Sequence, residues 1–70
     1  RPVTREFDLS PREREVLTWA AEGKTAWETA QLIGVSERAI RLYTENAMGK
    51  LRAKTKTQAV AIAVKNAIIH

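Results

Sequence analysis

Cysteine is absent from this chain of 70 residues, and its one histidine is the last residue, His70. These gaps exclude a disulfide framework, a thiolate nucleophile, a Cys/His zinc site and an internal imidazole base, so no catalytic residue, metal or cofactor is expected. No apolar run is long enough to span a bilayer, and the N-terminus lacks the charged, apolar and small-residue zones of a signal peptide. The expectation is a soluble protein of the cytoplasm with no membrane partner. Internal repeats and low-complexity tracts are also missing. Arg1 stands where a complete protein would have methionine, so the expectation is a piece of a longer protein whose regulation lies elsewhere.

What is present is a chain with 44% apolar residues, enough for one small globular domain and too short for two cores. Its net charge of +4 is unevenly spread. Residues 1–37 hold five Lys/Arg against seven acids, a net −2, whereas residues 38–70 hold seven bases against Glu45 alone, a net +6. Such asymmetry within one domain implies a basic face, suited to nucleic acid or an anionic membrane surface.

Capping signals divide the chain into four helices. Ser10-Pro11-Arg12-Glu13 supplies an N-cap, a proline at the first helical position and a capping-box glutamate, and Gly23 supplies a left-handed stop, which predicts a helix over 11–22. Thr25-Ala26-Trp27-Glu28 repeats the box and Gly34 closes a second helix, 26–33. Ser36 opens a third over 37–52, and the box Thr55-Lys56-Thr57-Gln58 a fourth over 56–68. The alternating stretch Ala59–Val64 has the look of a strand. It follows a capping box, is rich in alanine and would have no strand partner, so it is assigned to the fourth helix. Residues 1–8 are expected to be a lead-in, and residues 9–70 an all-α four-helix domain.

The second helix, a short glycine-containing turn and the longer third helix have the spacing of a helix-turn-helix. Ala30 meets the need for a small residue where the helices cross, and Gly34 the need for positive φ, with Ile33, Val35, Ile40 and Tyr43 filling the space between. On a helical wheel, Ile40, Tyr43, Ala47 and Leu51 share one side, while Arg38, Leu42, Glu45 and Gly49, flanked by Arg41 and Arg52, lie opposite. A solvated charged face is the plain alternative. Together with the basic second half, the outward arginines and leucine fit a DNA major groove better, since arginine bridges guanine O6 and N7 and leucine packs on a thymine methyl. The candidate base contacts are Arg38, Arg41, Leu42 and Glu45; Glu45 would repel phosphate but can accept from cytosine N4. The candidate phosphate contacts are Lys24, Thr25, Thr44, Lys50, Lys54, Lys56 and Thr57.

Several separated motifs then fall in register: L-S-P-R-E-x-E-V-L from Leu9, E-G-K-T from Glu22, I-G-V-S from Ile33, K-L at Lys50 and T-Q-A-V-A from Thr57. From Leu9 to about Ile68 the chain resembles the C-terminal DNA-binding domain of LuxR-type transcription regulators. K-T-A-W-E from Lys24 and N-A-M-x-K-L from Asn46 resemble the quorum-sensing branch, in which an acyl-homoserine-lactone-binding domain precedes this one. The resemblance implies transcriptional regulation by a homodimer on palindromic double-stranded DNA, with the inducer bound by an absent N-terminal domain and RNA polymerase as a further partner. It implies structural roles for Glu13, Leu17 and Gly23, phosphate contact for Lys24, Thr25 and Lys50, and base contact for Arg41. Three departures stand out: Ala39 where the family usually has threonine, Tyr43 for histidine and Thr29 for isoleucine.

From Ala59 to Ile69 only Lys65 and Asn66 are polar, more apolar surface than one face of a small core needs. Val60, Ala63, Val64, Ala67 and Ile68 are therefore the candidate dimer interface. Trp19 and Trp27 are assigned to core or domain contact rather than to base stacking, because no sheet or barrel presents them. The basic run Lys50-Arg52-Lys54-Lys56 lacks the bulky aromatic face of a membrane-surface helix, so phosphate backbone suits it better. Two other readings stay open: the output domain of a two-component response regulator, and a helical protein-interaction module meeting RNA polymerase or an antiactivator through the acidic first helix.

Overall fold

The structure is a computed structural model and describes residues 8–69. Residues 1–7 and His70 fall outside it, so the expected lead-in is met only at Asp8, which is exposed and in no helix. Four helices make up the domain: α1 (Pro11–Ala21), α2 (Ala26–Ile33), α3 (Glu37–Leu51) and α4 (Lys56–Lys65). No strand occurs among the described residues, and Ala59–Val64 forms the body of α4.

Each helix begins where the sequence marks it. The hydroxyls of Ser10, Thr25, Ser36 and Thr55 accept the backbone N–H of the third residue of their helix, satisfying one of the donors that a helix start leaves orphaned. In α1 and α2 the box closes, because the Glu13 and Glu28 carboxylates accept the N–H of Ser10 and of Thr25, both at 2.9 Å. The expected box at Thr55 forms only by half: the Gln58 side chain reaches one residue further and accepts the Lys54 N–H at 2.7 Å.

Each helix also ends in one way. A residue in the left-handed region follows it, and the next N–H returns to a carbonyl of the last turn: Lys24 to Trp19, Val35 to Ala30, Ala53 to Met48 and Ile68 to Ala63. Gly23 (φ +87°) and Gly34 (φ +75°) supply that conformation for α1 and α2, whereas Arg52 (φ +56°) and Ala67 (φ +57°) supply it for α3 and α4. These last two correct the expected bounds. α3 stops at Leu51, and α4 at Lys65 rather than 68, because the chain reverses hand at Ala67 and turns Ile68 and Ile69 into the core.

The core has two centres, and α3 runs through both. Its first half sets Ile40 against Val16 of α1 and Ala30 of α2, with Ile33, Val35 and Tyr43 packed around them. Its second half sets Ala47 and Leu51 against Leu9, Leu17, Ala59, Ala63 and the two terminal isoleucines. Burying Leu17 and Ile40 completely contributes about 2–3 kcal/mol each. Among the described residues no buried side-chain polar atom lacks a partner. The Thr29 departure fits this pattern: it is buried and its hydroxyl donates to the Thr25 carbonyl at 2.9 Å.

Candidate nucleic-acid interface

The turn between α2 and α3 consists of Gly34, Val35 and Ser36. With Gly34 left-handed, its own N–H and that of Val35 both donate to the Ala30 carbonyl, at 2.9 and 3.1 Å. A chain with a side chain at position 34 would resist this conformation, and a larger residue at the buried Ala30 would push the helices apart. Ser36 then caps α3 through the Ala39 N–H at 3.0 Å. Ile40, Thr44, Ala47 and Leu51 hold the inner face of α3 in the core, which fixes its outer face toward solvent.

All four candidate base contacts lie on that outer face. Arg38, Arg41, Leu42 and Glu45 are exposed and line one shallow depression. Leu42 is a large apolar side chain left 58% exposed among the described residues. A second depression joins Arg41 and Glu45 to Lys56 and Ala26, and a third joins Lys56 and Thr57 to Lys24, just before the cap of α2. The outer face of α3 and the starts of α2 and α4 thus form one continuous surface carrying Arg38, Arg41, Lys56 and Lys24. Thr25 and Thr57 are exposed at the helix starts, and Lys54 is exposed in the α3–α4 connection.

Two candidate phosphate contacts are engaged elsewhere. Thr44 is buried and its hydroxyl donates to the Ile40 carbonyl at 2.8 Å, a bond that keeps it on the core side. The Lys50 ammonium lies 2.8 Å from Glu13 Oε1 and donates to the Asp8 carbonyl at 3.2 Å, tying the last turn of α3 to the start of α1. Glu13 is buried. Burial opposes its ionisation, but the hydrogen bonds from Lys50 and the Ser10 N–H outweigh it and hold the carboxyl below the ordinary glutamate value. Glu28 is lowered too, chiefly by the Thr25 N–H.

The candidate dimer set also needs correction. Ala63 is wholly buried and Ile68 nearly so, both inside the domain's own core, because α4 faces α1 and α3 with its alanines. Val64 and Ala67 remain exposed and Val60 half-buried. Trp19 is half-buried, but Trp27 is 59% exposed and lies beside Leu32, at 51%, on the outside of α2, so Trp27 is not a core residue.

One member of the surface was absent from the sequence reading. Glu37, in the first turn of α3, pairs with Arg41 at 2.6 Å. The signal was available, because glutamate four residues before arginine is the favoured helical ion-pair spacing. No such signal exists for Glu13 and Lys50, which meet across 37 residues of chain.

A profile of the family described as "Bacterial regulatory proteins, luxR family" matches residues 8–63. The chain is 42% identical over 69 residues to the transcriptional activator protein BjaR1 of Bradyrhizobium diazoefficiens, covering 99% of this chain and 27% of that protein. It is also 42% identical over 70 residues to the HTH-type quorum sensing-dependent transcriptional regulator RpaR of Rhodopseudomonas palustris, covering 100% of this chain and 28% of that one. The crystal structure of Escherichia coli SdiA superposes with a TM-score of 0.87 at 36% identity, over 91% of this chain and 27% of that one. The chain therefore spans about a quarter of the length of the proteins it resembles.

Proposed function

Since the chain belongs to the luxR family of bacterial regulatory proteins, helix-turn-helix transcription regulators and not enzymes, we propose that it is the sequence-specific DNA-binding output domain of a cytoplasmic, acyl-homoserine-lactone-responsive regulator. The observation that carries this reading is the outer face of α3, where Arg38, Arg41, Leu42 and Glu45 stand exposed beside a glycine turn and continue into Lys56 and Lys24. Arginine and leucine there match guanine edges and thymine methyls in a major groove, with Lys24, Thr25, Lys54, Lys56 and Thr57 toward the phosphates. The names of the relatives support a quorum-sensing input over a phosphorylated receiver, and that input resides in a preceding domain.

Two copies bind a palindrome, paired through the half-buried Val60 and exposed Val64 of α4 and the exposed Ala67 just after it. RNA polymerase is the further partner in this proposal, and the exposed Trp27 and Leu32 offer it an apolar surface on α2. Selection of duplexes from a random pool, with dimerisation enforced by a fused coiled coil, tests the core of the reading. An inverted repeat should be enriched, with affinity that falls steeply as salt rises. Failure to enrich any motif overturns the reading.

A further inference from the structure

Arg41, at the flank of the reading face, does not stand alone. Arg41 Nη2 meets Glu37 Oε2 at 2.6 Å, although both side chains are open to solvent. Glu37, Arg41 and Glu45 form one column on α3 at successive four-residue steps, so Arg41 has an acid one turn to either side. Its hydrogen bond goes to Glu37. That choice has a physical basis: an acid N-terminal to its base is the better helical orientation, and a carboxylate in the first turn also meets the positive end of the helix dipole.

We propose that Glu37 is a positioning residue for base recognition, holding the Arg41 guanidinium in the plane and direction in which it meets a base edge. The inference rests on the reading that Arg41 contacts a base. Guanidinium carries five N–H donors in a rigid fork, so the bond to Glu37 occupies one and leaves enough for a bidentate contact to guanine O6 and N7. An arginine already held by its neighbour loses less rotamer freedom on binding, which favours the site where the held direction is useful. The same carboxylate repels phosphate and disfavours Arg41 sitting on the backbone of any other sequence. An exposed ion pair of this kind adds little to stability, so its effect falls on discrimination rather than on folding.

The test compares affinity for the duplex enriched by the wild-type chain with affinity for a scrambled duplex of equal length. Glu37→Gln should lower the melting temperature by no more than a few degrees and lower the ratio of the two affinities by about tenfold, within the range that one bidentate base contact provides. In an Arg41→Ala background the same change should alter the ratio by less than about twofold, since coupled residues are not additive. An unchanged ratio in Glu37→Gln, with a ratio collapsed by Arg41→Ala, overturns the positioning role and leaves the base contact standing. Equal losses in both backgrounds also overturn it, because Glu37 would then act without Arg41. A ratio indifferent to Arg41→Ala removes the base contact itself and the inference with it.

Discussion

The acidic first half of the domain and its basic second half are built to different standards. In α1 and α2 both capping boxes close and both C-terminal stops are glycine, the residue that enters the left-handed region without strain. In α3 and α4 no box closes, the stops are Arg52 and Ala67, and a glycine, Gly49, sits inside a helix, where it weakens the backbone. The half that follows the local rules supplies the scaffold. The half that departs from them carries the reading helix, the exposed Leu42 and most of the positive charge. Natural sequences concentrate such departures where function makes its own demands.

The halves meet at alanines, and the largest effect is expected there. Ala47, Ala59 and Ala63 of α3 and α4 are completely buried in the cluster that contains Leu17 of α1. Close packing leaves no room for three carbons more, so Ala47→Leu should cost about 3 kcal/mol. For a domain of this size that lowers the melting temperature by roughly 15 °C. Ala61→Leu, on the exposed side of α4, should stay within about 0.5 kcal/mol of the parent. Thermal melts of the two variants decide the matter. Equal, small effects would mean that the halves touch loosely and that the second is not held by the first.

Much of this division was legible in the sequence. All four N-caps are hydroxyl residues three positions before a residue of their own helix, and the outer face of α3 follows from its period alone. Errors gathered in the second half, for the same physical reason that sets it apart. Ala67 is an excellent helix former placed where the helix must stop, so nothing in Ala67-Ile68-Ile69 announced the reversal of hand that buries the isoleucines. That reversal also moved Ile68 from the expected dimer face into the core, and Ala63 went with the alanine stripe. Thr44 lies on the core side of the wheel, one turn after Ile40, but its polar type suggests solvent; the bond to the Ile40 carbonyl makes burial possible. The Glu13–Lys50 contact depends on α1 and α3 being packed side by side, which no local pattern encodes.

A single type of substitution can test the contrast with opposite signs. A Cβ placed on Gly23 or on Gly49 meets nothing within 4 Å, so space does not distinguish them. Backbone conformation does: Gly23 is at φ +87°, whereas Gly49 lies within α3. Gly23→Ala should therefore destabilise by about 1 kcal/mol and Gly49→Ala should stabilise by about the same amount. Denaturant melts at neutral pH would measure both. If the two changes share a sign, the difference in construction between the halves is not a difference in backbone strain.

The smallest effect concerns the ion pair between Glu13 of α1 and Lys50 of α3. Glu13 titrates below the ordinary glutamate value of 4.5 in the folded domain, because the Lys50 and Ser10 hydrogen bonds to its carboxylate outweigh the burial that opposes ionisation. A group whose folded value is depressed adds stability that is present at higher pH and is lost as pH falls below 4.5 and through the folded value. Unfolding followed by urea between pH 6 and pH 3 should therefore show an acid loss of stability that becomes shallower in Glu13→Gln. Lys50→Met should flatten the limb as well, since it removes the lysine that favours the charged form. The acid loss that Glu28 contributes through its cap on Thr25 lies wholly within α2, and it should survive both changes. A limb that Lys50→Met leaves untouched would mean that the Glu13 carboxylate answers to the cap of its own helix alone, and that the scaffold holds the reading helix through packing without help from charge.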